Sequence, residues 1–174
     1  MKILEFEKID STQKKAKEIV HQAEPWTVIL AKEQTSGYGR KGNFWYSPRG
    51  GLYFSIILPK TGIEDVQILT ILTAFVVAKI LKEDFGLEPL LKLPNDVLVN
   101  NKKICGILTE NIILGRETKN SIIGIGLNTN VESFPEELKE KATSLRIELQ
   151  KEVDQKTIFQ KILKELKNYF KAIT

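Results

Sequence analysis

The sequence predicts an α+β fold in which a mixed, largely antiparallel sheet packs against helices. Three observations support this fold class. Several short apolar segments follow one another with hairpin signals between them, and they do not alternate singly with helical patterns. The helical patterns are grouped before and after those segments. The 174 residues are 42% apolar, which suits one packed domain and is too apolar for a disordered chain.

The first half of the chain is predicted to hold two helices and two strands. Asp10, Ser11 and Thr12 offer N-cap oxygens for the first helix, and Gly86 stands where a C-cap belongs after the second. Runs of β-branched apolar residues indicate the strands. The predicted elements are a helix over 12–20, strands over 26–31 and 52–58, and a helix over 64–85.

Short apolar segments continue in the second half and are followed by two helical patterns. The pair Asn100-Asn101 suits a tight hairpin turn, because asparagine tolerates positive φ. Residues 115–120 are predicted as another hairpin loop. The strand candidates lie at 90–93, 97–99, 104–108, 111–114 and 121–127, and the helices at 136–145 and 157–170.

Composition excludes several classes of function. The net charge is 26 − 22 = +4, and neither a Lys/Arg block nor a helix-turn-helix pattern indicates a nucleic-acid-binding protein. One cysteine, Cys105, and one histidine, His21, cannot build a Cys-based zinc site or a disulfide. The apolar stretch 68–81 is shorter than the roughly 20 residues that cross a bilayer. Glu5 interrupts any signal-peptide pattern, so we expect a cytoplasmic protein.

The strongest chemical signal is the segment 34–48, which directly follows the first predicted strand. Three glycines within six residues let backbone N–H groups approach an anion, and Arg40 and Lys41 add positive charge. The aromatic run 44–46 predicts that this loop folds down onto something. The alternative is a flexible surface loop.

Residues 37–42 also match the glycine pattern of dinucleotide-binding loops. That pattern works only where a helix begins at the loop, so that the helix N-terminus meets the pyrophosphate. Here Pro48, Gly50 and Gly51 follow, and then a strand. A P-loop is excluded as well, because Asn43 stands where that motif requires lysine. We therefore predict an anion and aromatic-ring clamp between two strands.

A second polar cluster is predicted at a strand end. Pro94 fixes a bend that presents Lys92, Asn95 and Asp96 together. The alternative is an ordinary turn, because Pro-Asn-Asp is common turn chemistry. Lys103 precedes an apolar strand, where it either leans into a site or marks the sheet edge.

Three glycines stand inside predicted strands, where glycine weakens the strand unless something packs against its backbone. They are Gly106, Gly124 and Gly126. Gly106 could let a ligand lie against the sheet. Asn128, at the end of the last strand, could read the edge of a base, with a simple bulge as the alternative.

Together these segments resemble the catalytic domain of biotin protein ligases, the biotin–[acetyl-CoA-carboxylase] ligase family. Each segment alone is weakly specific, but all five occur in family order over nearly the whole chain: 10–13, 34–45 with 47–55, 92–96, 103–108 and 124–128. The resemblance implies the fold of biotin and lipoate ligase catalytic domains. It also implies an enzyme that joins biotin to ATP as biotinyl-5′-AMP, with Mg²⁺, and transfers biotin to a lysine of a carrier protein.

The resemblance further implies roles for the matching residues. The implied catalytic residues are Arg40, Lys92, Asp96 and Lys103. The implied biotin-binding residues are Ser11, Thr12, Gln13, Gln34, Gly37, Tyr38, Gly39, Arg40, Lys103, Gly106, Leu108, Gly124 and Gly126. The implied ATP- or adenylate-binding residues are Arg40, Lys41, Gly42, Trp45, Lys92, Asn95 and Asn128. No protein ligand is assigned to a metal, because Mg²⁺ would be held mainly by the ATP phosphates.

The chain departs from the family pattern in three ways. Tyr38 stands where the family usually has arginine, and Leu93 replaces the usual tryptophan. The third departure concerns domains: we expect a single catalytic domain over 1–174, without an N-terminal DNA-binding domain or a small C-terminal β-barrel. Weaker nucleotide binding or slower transfer would follow from that expectation.

Two other functions stay open at this point. One is a lipoate or octanoate ligase or transferase of the same fold; a transferase would use a reactive Cys or Lys, and Cys105 in an apolar strand is a poor setting for a thiolate. The other is a non-catalytic protein that holds biotin. The expected partner is a biotin carboxyl carrier protein; no membrane or nucleic acid is expected, and exposed sheet edges are compatible with a homodimer.

Overall fold

One mixed sheet organises the chain. The computed structural model describes residues 1–59, 66–114 and 117–173. Over those ranges it forms seven strands: β1 (Ile3–Phe6), β2 (Thr27–Ala31), β3 (Leu52–Ile57), β4 (Leu90–Lys92), β5 (Asp96–Val99), β6 (Lys102–Leu114) and β7 (Glu117–Leu127). Their order is β1-β2-β3-β7-β6-β5-β4, and only the β1–β2 pair is parallel. The predicted α+β class with a largely antiparallel sheet is confirmed.

Helices cover the two faces of this sheet unequally. The four α-helices of the described ranges are α1 (Thr12–Ile19), α2 (Val66–Phe85), α3 (Leu145–Leu149) and α4 (Gln155–Ile173). The main core, with Ile56, lies on the face against α2 and α4, whereas its neighbour Ile57 packs with Ala16 of α1 on the opposite face. Because side chains alternate along a strand, β3 is buried along its whole length.

Phe54 anchors the main core and gives a test of its packing. It is fully buried, and its ring meets that of Phe159 on α4 edge to face at 5.1 Å. We expect Phe54→Ala to lower the free energy of unfolding by about 3–5 kcal/mol, because a large cavity replaces the ring. Urea denaturation measures this, and Phe44→Ala is the control because that ring is 68% exposed. Equal losses in the two variants would contradict this packing.

Several sequence predictions are confirmed and others are corrected in extent. Asn100 and Asn101 have φ of 50° and 62° and form the predicted turn between β5 and β6. The two segments 104–108 and 111–114 are one continuous strand, β6. The predicted loop 115–120 is too long, because β7 already begins at Glu117; residues 115 and 116 lie outside the described residues. The predicted start of the long helix, 64–65, also lies outside them.

The predicted helix over 136–145 is wrong. Residues 136–141 form turns, and α3 begins only at Leu145, where the prediction ended. The Lys103 N–H donates to the Lys141 carbonyl at 2.8 Å, and the Thr143 N–H donates to the Lys103 carbonyl at 3.0 Å. This pairing with the start of β6 holds the segment extended. Ser144 then caps α3 by accepting from the Ile147 N–H.

The strand β1 was not predicted, because it is short and only half of its residues are partly buried. It pairs in parallel with β2, across more than twenty residues of sequence. None of the helices over the described ranges has the length and apolar character needed to cross a bilayer.

Candidate active site

A cavity of about 330 Å³ lies on the α1 face of the sheet. The sheet positions its floor: Ser55, Gly106, Gly124 and Gly126 alternate with buried core residues, so these four positions face α1. Most of the residues predicted from sequence to bind ligand line this cavity. They are Ser11, Thr12, Gln13, Gln34, Tyr38, Gly39, Arg40, Lys41, Trp45, Asn95, Asp96, Lys103, Gly106, Leu108, Gly124 and Gly126.

Four predicted residues do not line this cavity. Packing explains the glycine at position 37, because a Cβ there would lie 2.6 Å from Ser47 Oγ. Backbone conformation explains Gly42, since its φ of 74° favours glycine. Lys92 is exposed at the end of β4. Asn128 lies in a second cavity, described below.

Sequence reasoning missed other lining residues. Ser55 is fully buried in the middle of β3, and it contacts Thr12 and Gln13. A lone hydroxyl inside an apolar strand is a signal that could have identified it. Four further residues, Asn43, Phe44, Ile107 and Ile125, complete the lining.

Hydrogen bonds fold the glycine-containing loop against the start of α1. The Thr12 N–H donates to Gln34 Oε1 at 2.8 Å, and Gln34 Nε2 donates to Ser47 Oγ at 2.9 Å. Ser47 Oγ in turn donates to the Trp45 carbonyl at 3.0 Å. Ser11 caps α1, where its Oγ accepts from the Lys14 N–H. One end of the cavity is therefore walled by neutral polar groups of fixed orientation.

Charged side chains form the other end of the cavity. Lys103 Nζ lies 2.7 Å from Asp96 Oδ1, which also accepts from Asn95 Nδ2 at 2.8 Å. Arg40 Nη1 donates to Asn95 Oδ1 at 3.2 Å. These contacts join the loop to the β4–β5 hairpin and place two cations, Arg40 and Lys103, beside one opening.

The Trp45 indole packs against the sheet at two of the strand glycines. Gly106 and Gly126 are register partners, and a Cβ on them would lie 2.9 Å and 2.4 Å from atoms of the indole. A Cβ on Gly124 would lie 2.6 Å from Gln13 Oε1. The strand glycines thus accommodate side chains of this chain itself. Lys103 Nζ lies 5.0 Å from the centre of the indole ring.

A second cavity of about 180 Å³ adjoins the first, and Trp45 and Lys103 line both. Its other walls are mostly aromatic and aliphatic, with Phe134 and Ala142 among them. Asn128 is buried there; its Nδ2 donates to the Thr143 carbonyl at 2.9 Å, and its Oδ1 has no partner among the described residues. A flat ring that carries an N–H donor would satisfy this oxygen.

Neither nucleophilic thiol chemistry nor a dense metal cluster is built into the described residues. Burial raises the pKa of the Cys105 thiol far above its ordinary value, so the thiolate is disfavoured. Within residues 1–59, 66–114 and 117–173, no group of three His, Cys, Asp or Glu side chains could hold a metal ion. The site offers fixed cations, amides and hydroxyl groups.

Comparisons with known proteins agree with this geometry. Residues 5–128 match the model of the Biotin/lipoate A/B protein ligase family. The chain is 39% identical over 160 residues to the bifunctional ligase/repressor BirA of Bacillus subtilis, a match that covers 89% of this chain and 49% of that protein. It is 33% identical over 126 residues to the biotin–[acetyl-CoA-carboxylase] ligase of Paracoccus denitrificans, a match that covers 68% of this chain and 51% of that protein. The chain thus spans about half the length of the curated relatives it matches.

A solved structure extends the match over almost the whole chain. The biotin protein ligase from Aquifex aeolicus in complex with biotin and ATP superposes with a TM-score of 0.88 and 35% identity, covering 98% of this chain and 70% of that one. Sequence motifs, sheet topology and the family model all lead to one assignment: the chain belongs to the biotin/lipoate A/B protein ligase family.

Proposed function

We propose that residues 1–174 form a catalytic domain of an ATP-dependent biotin protein ligase. It would form biotinyl-5′-AMP and then transfer biotin to a lysine of a biotin carboxyl carrier protein. One observation carries the proposal: two adjoining cavities, one with a polar end and one with aromatic walls, share Lys103 and Trp45. Two substrates bound there would meet beside two cations, Arg40 and Lys103.

In the first step, a carboxylate oxygen of biotin attacks the α-phosphorus of ATP. The bond from that phosphorus to the bridging oxygen breaks, and pyrophosphate leaves with the electron pair. Both reactants are anions, so fixed cations must offset their repulsion. Lys103 lines both cavities and Arg40 lines the first, and these two cations would supply this charge. Mg²⁺ would arrive with ATP and be held mostly by phosphate oxygens, and the side-chain oxygens of Asn95 and Asp96, which line the cavity, would be candidates to add to them.

In the second step, the ε-amine of a carrier lysine attacks the acyl carbon, and AMP leaves. A free lysine has a pKa of about 10.4 and must lose a proton to attack. Asp96 lines the cavity and pairs with Lys103, and its carboxylate would orient or accept that proton. The geometry requires no covalent enzyme intermediate.

The polar end of the first cavity favours biotin over lipoate. Five neutral polar side chains cluster there: Ser11, Thr12, Gln13, Gln34 and Ser55. A ureido ring offers N–H donors and a carbonyl acceptor to such groups, whereas a dithiolane ring would leave them unpaired at a cost. The archaeal lipoate protein ligase from Thermoplasma acidophilum matches with a TM-score of 0.64 at 11% identity, which shows a shared fold alone.

Transfer of labelled biotin to a carrier domain tests the proposal. The chain is incubated with Mg²⁺, ATP and labelled biotin, with excess lipoate as competitor, and pyrophosphate is assayed in parallel. We expect pyrophosphate formation that depends on biotin, and label on the carrier lysine that lipoate does not displace. Binding of biotin without pyrophosphate would indicate the non-catalytic alternative, and displacement by lipoate would indicate the lipoate alternative.

The strand glycines allow a crossed test of the two cavities. A Cβ at 124 would displace Gln13, whereas a Cβ at 126 would displace the Trp45 indole. We therefore expect Gly124→Ala to raise KM mainly for biotin and Gly126→Ala to raise KM mainly for ATP. Steady-state kinetics on both variants measure this, and each variant is the control for the other. The same change in both KM values for both variants would contradict the division of the site.

A cytoplasmic location and a homodimer are also part of the proposal. The reaction consumes ATP, which the cytoplasm supplies. β1 and β4 are the two edge strands of the sheet over the described residues, and an unpaired edge can add a strand from a second copy. Analytical ultracentrifugation with and without biotin and ATP tests the oligomeric state.

A further inference from the structure

Gln13, a buried side chain at the polar end of the first cavity, connects the cavity to an ion pair outside it. Its Nε2 donates to Glu110 Oε2 at 2.9 Å, and Glu110 Oε1 accepts from Lys17 Nζ at 2.8 Å. Gln13 and Lys17 stand one helical turn apart on α1 and so face the same carboxylate. Neither Glu110 nor Lys17 lines the cavity, and the proposed reaction assigns them no role.

The Glu110 carboxylate is the nearer of two acceptors that determine how the Gln13 amide is turned; the other is the Ile122 carbonyl, 3.5 Å from Nε2. An ionised carboxylate only accepts hydrogen bonds, so the amide must present its NH₂ group to Glu110. Gln13 Oε1 therefore faces the other way, where it lies 2.9 Å from the Oγ of fully buried Ser55. Partial burial acts to lower the pKa of Lys17, but the contacts with Glu110 and Tyr38 outweigh it and raise that pKa, so Lys17 stays charged.

Two hydroxyl groups connect Gln13 to Gln34, and two protons are shared among three oxygen–oxygen contacts. Ser55 Oγ lies 2.9 Å from Gln13 Oε1 and 3.0 Å from Thr12 Oγ1, which lies 3.1 Å from Gln34 Oε1. Because an amide oxygen carries no proton, Ser55 must donate to Gln13 and Thr12 must donate to Gln34, so that no proton lies between Ser55 and Thr12. The oxygen of Gln34 also accepts from the Thr12 backbone N–H at 2.8 Å.

We propose that Glu110, the partner of Lys17, positions Gln13 and so makes this wall an acceptor surface for the N–H groups of a cyclic urea. With the Ser55 proton directed to Gln13 and the Thr12 proton directed to Gln34, the Thr12 side-chain oxygen keeps its lone pairs for a ligand donor. The inference rests on the proposed function, because the ureido ring of biotin supplies such donors. Glu110 is the positioning residue, since it acts through Gln13, and Lys17 pairs with its other oxygen.

Glu110→Gln should redirect the Ser55 hydroxyl from Gln13 to Thr12. Lys17 attracts the oxygen of the new amide, whose NH₂ group then faces Gln13. Gln13 turns over and donates to Ser55, Ser55 donates to Thr12, and Thr12 donates to Gln34. The Thr12 oxygen then accepts from Ser55, so the wall loses a lone pair that the wild type keeps for a ureido N–H group.

Calorimetric titration of biotin and of ATP, separately, into the full chain tests this order. We expect Glu110→Gln to weaken biotin binding roughly tenfold, the equivalent of about one hydrogen bond, with ATP binding unchanged. Lys17→Met alone should change biotin binding little, because the carboxylate still orients Gln13. The double variant Lys17→Met/Glu110→Gln should recover most of the lost affinity, because the new amide oxygen is then free to face Gln13.

Lys15→Met is the matched control on the same helix. Lys15 forms an exposed ion pair with Glu18 at 2.9 Å, so its loss should leave biotin affinity unchanged. Equal biotin affinity in the wild type and Glu110→Gln overturns the inference, and so does a double variant no better than Glu110→Gln. A weakening of biotin and ATP binding alike, with a lower unfolding midpoint, also overturns it in favour of a structural role. A wild-type chain that binds no biotin contradicts the proposed function itself.

Discussion

Replacing Lys103 with alanine is expected to slow formation of biotinyl-5′-AMP roughly a hundredfold or more. Lys103 Nζ lies at the junction of the two cavities, 2.7 Å from Asp96 Oδ1 and 5.0 Å from the centre of the Trp45 ring. A cation there offsets the repulsion between carboxylate and triphosphate as they approach. Alanine removes this charge and also leaves Asp96 without its ion-pair partner. Biotin-dependent exchange of labelled pyrophosphate into ATP measures the step.

The neighbouring Lys102 provides the control for this prediction. Its Nζ donates to the Lys139 carbonyl at 3.0 Å, and it lines neither cavity. Lys102→Ala should therefore leave pyrophosphate exchange close to the wild-type rate. A Lys103→Ala variant that exchanges pyrophosphate as fast as Lys102→Ala would remove Lys103 from the reaction.

Arg40→Gly is expected to release the adenylate about tenfold to a hundredfold faster, as the loss of a charged hydrogen-bond partner predicts. Arg40 is exposed on the glycine-containing loop, and its Nη1 donates to Asn95 Oδ1 at 3.2 Å. That bond uses one of the five N–H donors of a guanidinium, which leaves others for the carboxylate and phosphate oxygens of the ligands. Adenylate formed in a single turnover and then separated from the protein on a rapid spin column measures release.

Arg49→Gly is the matched control for this variant. The Arg49 guanidinium lies 3.2 Å from Glu7 and lines neither cavity, so adenylate release should not change. Unchanged release in Arg40→Gly would show that another group retains the intermediate.

Much of the fold and site could be predicted because the signals are local. The helical spacing in α2 and α4 and the Asn-Asn turn are properties of neighbouring residues. The strand glycines indicated close packing on their backbone, and the structure shows what packs there: Trp45 over Gly106 and Gly126, and Gln13 over Gly124. A glycine inside a strand indicates that some group packs against the backbone there, but the local sequence does not identify that group.

The remaining features depend on contacts between distant parts of the chain. Residues 136–141 have helical character on their own, but backbone pairing of Lys141 and Thr143 with Lys103 keeps the following segment extended. The ion pair between Lys17 and Glu110 joins residues 93 positions apart. Ser55 acquires its meaning only when β3 is placed beneath Thr12 and Gln13. No window of sequence contains both partners of these contacts.

The indole of Trp45 lines both cavities. Any shift that one ligand imposes on this ring alters the space left to the other ligand, so the two affinities are thermodynamically linked. Linkage is reciprocal: if bound nucleotide raises the affinity for biotin by some factor, bound biotin raises the affinity for nucleotide by the same factor. Enlarging the first cavity to accept an analogue of biotin should therefore change the affinity for the nucleotide as well.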